Sequence, residues 1–465
     1  MSIRFPFKQN WLLILFFLLP LSFAYAVDFG KIRSDEIGYY VADLSTGQVL
    51  AAHREDVAMN PASTMKLLTS FAALNILGPD FRWTTQFRSN AQISNGILHG
   101  DLYWVGSGDP VFDQKDLLKM IQEANHSGIR KISGRLVLDK SIWSTVGTAE
   151  HFDDDGEAAF TTAPDAHMLA YKVAWLNVEA DDGGKPVVKL EPPMPDVVLN
   201  STVTMRASGA CRDIRHYLKI KTEGGLIDVT GSLPSSCIGK NIYINILSMD
   251  QFVSQSLKAH WTQVNQTRIS GDVYKGIAPS DTTVLTQHNS PSLAAVLKTM
   301  NKHSNNVVAR TIFLAIGVKT GDYGQNTIAS AERAMRLTFA KNGLYDNEDL
   351  IIENGSGLSR RERVTPRFMG EMLKKVYDGP HRDVFVDSLP IAGVDGTLKY
   401  RLANVGPRLK MKTGTLKNVR ALAGFWLPED GGRALAIVVI VNSPDSVRYL
   451  PDLDHLVTEL VKTYG

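Results

Sequence analysis

The chain has 465 residues, 50 of them basic and 48 acidic. So even a balance gives no field that draws the molecule to nucleic acid, and affinity for any polymer has to come from a shaped site. The length exceeds what one ordinary core serves, and two or three structural units are expected.

At the N-terminus, Arg4 and Lys8 precede an apolar stretch from Trp11 to Phe23, and Ala24-Tyr25-Ala26 follows with the small-x-small pattern that signal peptidases cut after. The stretch is short for a membrane span of roughly 20 residues. Residues 1–26 are therefore read as a signal peptide cleaved after Ala26, with a retained anchor as the alternative; a lipoprotein signal lacks its cysteine. Without them the acidic and basic counts balance at 48 each.

Residues 28–80 begin with strand-like alternation around Ser45-Thr46-Gly47, a hairpin signal, and continue into a helix from Asn60. The next two hundred residues are rich in short alternating segments ("GDLYWVGSGDPVF", "RLVLDKSIW", "YINILSM") separated by turn residues such as Asp182-Gly183-Gly184 and Pro192-Pro193. They contain both cysteines, Cys211 and Cys237. In an exported chain these can form a disulfide, two free thiols being the alternative, and no Cys/His spacing suggests zinc. From about 287 helical periodicity returns. Two apolar strands, "ALAGFWLP" and "RALAIVVIVN", and an amphipathic helix over the last fourteen residues close the chain, the helix packing on the strands. The expected architecture is α+β: an antiparallel sheet flanked by helices, built from residues 27–84 and 276–465, around a β-rich insert over 85–275 in two subdomains.

Chemistry concentrates in three places. In "NPASTMKLLTSF", Asn60 suits an N-cap and Pro61 the first helical turn, where a missing N–H costs nothing. Ser63 then lies beside backbone N–H groups without intrahelical partners, and Lys66, three residues on, reaches over the same face. A serine hydroxyl needs a base to become a nucleophile, and a lysine is a base only when burial or a second cation lowers its pKa. Alone, Ser-x-x-Lys is weak, since a capped helix with an extended surface lysine looks the same. Here it is followed by Ser304-Asn305-Asn306 in a helical stretch and Lys412-Thr413-Gly414-Thr415 leading into a strand. Ser-x-x-Lys, Ser-x-Asn and Lys-Thr-Gly in that order form the motif set of penicillin-binding proteins and class A β-lactamases. His53 and His303 lie near two of these motifs without completing a Ser/His/Asp set, and no Gly-x-Ser-x-Gly elbow is present.

From about residue 38 to the C-terminus the chain resembles the class C low-molecular-mass penicillin-binding proteins, exported D-alanyl-D-alanine carboxypeptidases (peptidase family S13) that also act as DD-endopeptidases. Besides the three motifs, "GDLYWVGSGDPVF", "ENGSGLSR", "LPIAGVDGTL" and "KTGTLKNVRALAGFW" carry the resemblance, and so does the separation of 241 positions between Ser63 and Ser304. The resemblance implies a β-lactamase/transpeptidase-like catalytic domain, a periplasmic location, peptidoglycan stem peptides as substrate, β-lactams as covalent inhibitors, and no cofactor or metal. It implies Ser63 as nucleophile, Lys66 as its base with Lys412 nearby keeping it neutral, Ser304 as proton relay and Asn306 as a holder of Lys66 and substrate. The backbone N–H groups of Ser63 and Thr415 would bind the oxyanion. Lys412, Thr413 and Thr415 would hold the terminal carboxylate, with Gly414 permitting close approach.

Two places depart from the family pattern. Asn354-Gly355-Ser356-Gly357 stands where Asp-Gly-Ser-Gly is common, and Asn354 is expected to keep the turn's hydrogen bonds without the charge. In "EHFDDDGEAAF", Asp153, Asp154 and Asp155 offer an acidic group for a stem-peptide amine, with Asp155 nominated; a solvated acidic loop is the competing reading, and a calcium site has no supporting spacing. The competing functions are a β-lactamase-like hydrolase and a non-catalytic cell-wall binding module.

Overall fold

The computed structural model describes residues 27–465 apart from 148–151, 153–160, 207, 224, 245–246, 270–272, 322–325, 346–348 and 430. The proposed signal peptide and Asp153–Asp155 lie outside the described residues. Among the described residues no helix is long and apolar enough to cross a membrane.

The central sheet is antiparallel, in the order Leu409–Leu416, Val419–Trp426, Leu435–Asn442, Ile37–Asp43 and Val49–His53. Its middle joins the two ends of the chain, with Ile37 opposite Val441 and Asp43 opposite Leu435. The apolar run at 435–441 is explained by burial on both faces, because successive side chains of a strand point to opposite sides. Ala436, Val438 and Ile440 face a core built with the helices Met65–Ile76, Leu293–His303, Asn306–Lys319, Thr327–Lys341 and Pro366–Asp378. Leu435, Ile437, Val439 and Val441 face the terminal helix Leu450–Tyr464, which buries Leu453, Leu456, Val457 and Leu460. The fold is thus α+β, as expected.

The intervening chain has its own core, containing Trp104 and Trp261. One mixed five-stranded sheet runs Val273–Lys275, Leu136–Asp139, Leu102–Val105, Thr84–Ser89 and Thr283–Asn289. Three three-stranded sheets accompany it among the described residues, and Cys211 and Cys237 are joined in a disulfide. Two features differ from the sequence reading. Thr283–Asn289, placed there with the catalytic segment, pairs along Thr84–Ser89, so the chain leaves this sheet near Ser290. The insert also contains two substantial helices, Gln114–His126 and Met249–Asn265, each started by a capping box: Asp113 with Asp116, and Ser248 with Gln251.

Trp261 is 1% exposed in this second core. Trp261→Ala is expected to cost about 3–5 kcal/mol in urea unfolding; a loss below about 1 kcal/mol would show that the ring does not pack as described.

Candidate active site

Asn60 shapes the entry to the first helix. Its Oδ1 accepts from the Ala62 N–H at 2.9 Å, and its Nδ2 donates to the carbonyls of Ser359 and Arg360, both at 3.2 Å. Asn442, at the end of a central strand, brackets its backbone from the other side, accepting from Asn60 N at 2.8 Å and donating to Asn60 O at 3.0 Å. The expected simple N-cap is replaced by a 3-10 turn, Ala62–Thr64, ahead of the regular helix. Ala62 adopts φ +46°, uncommon for a residue with a Cβ. Packing holds it there. Gly357 passes so close that a Cβ on it would lie 1.7 Å from Ala62 O, and a Cβ on Gly414 would lie 2.7 Å from Pro61 O.

Lys66 is completely buried, one turn after half-buried Ser63. Its Nζ lies 2.9 Å from Ser63 Oγ, 2.7 Å from Asn306 Oδ1 and 2.5 Å from the Ser356 carbonyl. Two of these partners are carbonyl oxygens, which only accept. A neutral amine that gives its two N–H groups to them turns its lone pair toward the Ser63 hydroxyl. Burial favours that neutral form and lowers the Lys66 pKa to about 7, with the negative charge of Glu362 acting in the opposite direction.

The second motif occupies a helix junction. Ser304 ends the helix Leu293–His303 at φ +56°, and the Asn305 side chain caps the helix Asn306–Lys319 by accepting from Val308 N at 3.1 Å. Ser304 and Asn306 therefore extend from the ends of two helices. The third motif lies on the edge strand Leu409–Leu416. Lys412, also completely buried, donates to Ser304 Oγ at 2.9 Å and to the Thr413 carbonyl at 2.8 Å. Its pKa falls well below the ordinary lysine value, first through burial and then through repulsion by Lys66. Thr413 Oγ1 donates to Thr397 Oγ1 at 2.8 Å, and Thr415 is exposed toward the strand end.

Ser63, Lys66 and Asn306 are thus brought into direct contact, Ser304 and Lys412 form a second contact pair, and Thr413 and Gly414 flank them. Asp155 lies outside the described residues. Sequence reasoning missed the Ser356 carbonyl, buried Glu362, Thr397, and the pair Lys302–Asp395, whose Nζ–Oδ2 distance is 2.6 Å. Asn354 does what was expected of it: its Oδ1 accepts from Ser356 N at 3.0 Å and from Ser356 Oγ at 2.5 Å. Among the described residues, no group of three or more His, Cys, Asp or Glu side chains is placed to hold a metal ion.

A serine hydroxyl against a desolvated lysine, with a second lysine and serine beside them on a transpeptidase-like fold, is the arrangement of a serine acyl-transfer enzyme. The D-Ala-D-Ala carboxypeptidase 3 (S13) family matches residues 23–458, and the chain belongs to that family. The D-alanyl-D-alanine carboxypeptidase DacB of Haemophilus influenzae is 27% identical over 424 residues, covering 88% of this chain and 86% of the relative. The D-alanyl-D-alanine carboxypeptidase of Actinomadura sp. (strain R39) is 28% identical over 422 residues, covering 86% and 77%. The crystal structure of penicillin-binding protein 4 from Haemophilus influenzae superposes with a TM-score of 0.75 at 25% identity, covering 92% of this chain and 95% of that one. Serine-type D-Ala-D-Ala carboxypeptidase activity follows from this membership.

Gly357 has φ +78° as well as no room for a side chain. Gly357→Ala is expected to displace Ala62–Ser63 and to slow covalent labelling by a fluorescent penicillin at least 100-fold, on the scale of a 1 Å misplacement at a reacting centre. Labelling at the wild-type rate would show that the turn does not set the position of Ser63.

Proposed function

We propose that the enzyme trims and un-crosslinks peptidoglycan stem peptides through an acyl-enzyme on Ser63. Ser63 Oγ attacks the carbonyl of the penultimate D-alanine as its proton passes to Lys66 Nζ, and the C–N bond to the terminal D-alanine breaks as that proton is relayed through Ser304 to the leaving amine. Water then releases the shortened peptide and restores the hydroxyl. The backbone N–H groups of Ser63 and Thr415 stabilise the oxyanion, a type of donor that contributes about 3 kcal/mol. Lys412, Thr413 and Thr415 hold the substrate carboxylate, while Gly414 lets the strand pass close to Pro61 and Ala62. β-Lactams acylate the same oxygen. The chain is exported with its leader cleaved after Ala26, and the catalytic cycle runs in the periplasm. Residues 27–84 and 276–465 form the catalytic unit by this reading, with strand Thr283–Asn289 contributed to the sheet of the insert.

One observation carries the proposal: Lys66 Nζ meets two obligate acceptors and one serine hydroxyl inside the protein. Lys412 supports it from the neighbouring strand, where burial and the charge of Lys66 disfavour its own protonated form.

Two measurements test it. Intact-protein mass spectrometry after benzylpenicillin should show one adduct, on the peptide containing Ser63, and Ser63→Ala should abolish both the adduct and D-alanine release from diacetyl-Lys-D-Ala-D-Ala. An adduct retained in Ser63→Ala would refute the assignment. The pH dependence follows from the base. The neutral amine grows as pH rises through about 7, so the second-order acylation rate should climb through that pH and fall about tenfold per unit below it. A rate independent of pH between 5 and 9 would exclude Lys66 as the titrating base.

A further inference from the structure

Glu362 belongs to "SRRERVTPR", where one acid stands among four arginines. The arginines flanking it engage groups at the surface or along the loop: Arg360 the Lys417 carbonyl, Arg361 the Glu353 carboxylate, and Arg363 the carbonyls of Arg360 and Glu362. Glu362 alone turns inward and is 0% exposed. Its Oε1 accepts from three consecutive backbone N–H groups, Glu353 at 3.3 Å, Asn354 at 3.1 Å and Gly355 at 3.0 Å. These residues lead directly into Ser356, whose carbonyl receives Lys66 Nζ. Thr69, on the same helix as Lys66, ties down the turn by donating to Gly355 O at 2.6 Å. The other carboxylate oxygen, Oε2, is buried without a hydrogen-bond partner among the described residues. The strand-like bridges Ile351–Arg363 and Met59–Val364 fasten this loop to the segment that enters the nucleophile turn.

We propose that Glu362 is a positioning residue for acyl transfer: its carboxylate fixes the 353–356 turn against Lys66 and supplies the negative charge that keeps Lys66 a competent proton acceptor. This rests on Ser63 and Lys66 acting as nucleophile and base. Charged groups face Lys66 from three other elements: Lys412 on the edge strand, Arg310 on the helix begun by Asn306, and Glu362 with Glu353 on the loop. Glu353 is occupied by Ser359 and Arg361. Glu362 is the carboxylate whose charge reaches both Lys66 and Arg310. A lysine buried beside a second lysine without such a charge loses proton affinity further and becomes too weak a base to take a serine proton. Glu362 opposes that loss. Burial raises its own pKa, while the three N–H groups and Lys66 favour the ionised form.

The test is the pH profile of penicillin acylation from pH 5 to 9 for the full chain. Glu362→Gln keeps an oxygen to accept from the turn and removes the charge. Its acid limb is expected to move down by about one pH unit, the shift typical of a lost opposite charge, while the plateau falls several-fold. A limb superimposed on that of the wild type, or one displaced upward, overturns the inference whatever the plateau. Glu362→Asp keeps the charge and shortens the reach, so its limb should stay at the wild-type pH with a lowered plateau. A limb displaced as far as that of Glu362→Gln, or a plateau equal to the wild type, would overturn it as well, and this variant decides should Glu362→Gln not fold. Ser63→Ala separates the two claims. Labelling that survives in Ser63→Ala defeats the nucleophile assignment, whereas an unshifted Glu362→Gln limb with Ser63→Ala inactive defeats only the role given to Glu362.

Discussion

The amino group of Lys66 lies out of reach of solvent, and the surrounding architecture exists to hold it there. An ammonium ion in that position is disfavoured by lost hydration, so its proton affinity falls toward neutrality. Beside Ser63 in the preceding turn, its partners come from remote parts of the chain: Asn306 from the start of a helix and Ser356 from a loop. None could be held within hydrogen-bond distance without the packed helices on one face of the central sheet. The sheet in turn depends on pairing the N-terminal strand with a strand at the far end of the sequence.

Charge at the site is arranged as a balance. Lys66 and Lys412 are fully buried and Arg310 nearly so, with Glu362 as the buried acid that acts on Lys66 and Arg310. Arg310 also donates to the carbonyls of Thr161 and Thr162, both at 3.1 Å, which anchors the end of a segment from the intervening chain to the helix that carries Asn306. A second clasp joins the second and third motifs. Lys302, two residues before Ser304, grips Asp395, and Thr397 in the same loop receives the Thr413 hydroxyl. The second and third motifs are therefore linked through residues outside them as well as by direct contact.

How much of this was legible in the sequence depends on whether a residue leaves a local trace. Ser63 and Lys66 do, because helical spacing puts them on one face, and the two later motifs supply the company that makes the pair meaningful. The sheet made from both chain ends was legible in the apolar run at 435–441. The helices Gln114–His126 and Met249–Asn265 were overlooked although both capping boxes are present, since short alternating segments dominate their surroundings. The pairing of Thr283–Asn289 with Thr84–Ser89 joins strands about two hundred residues apart, and nothing local records it. Ser356 acts through its backbone, which no side-chain pattern reveals. Glu362 was hidden by its neighbours: an acid among four arginines looks like solvated surface, and only the fold turns it inward.

The central claim is that the amine of Lys66 gives up its proton near neutral pH, and direct titration of that nitrogen is the most immediate test. Protein labelled with 13C at the lysine ε-carbon, with the Lys66 signal assigned by its loss in Lys66→Arg, can be followed by NMR from pH 5 to 11. The account predicts a titration midpoint for Lys66 near 7 instead of the ordinary 10.5. A midpoint at 10 or above would mean a permanently protonated ammonium beside Ser63, and would contradict the mechanism built on it.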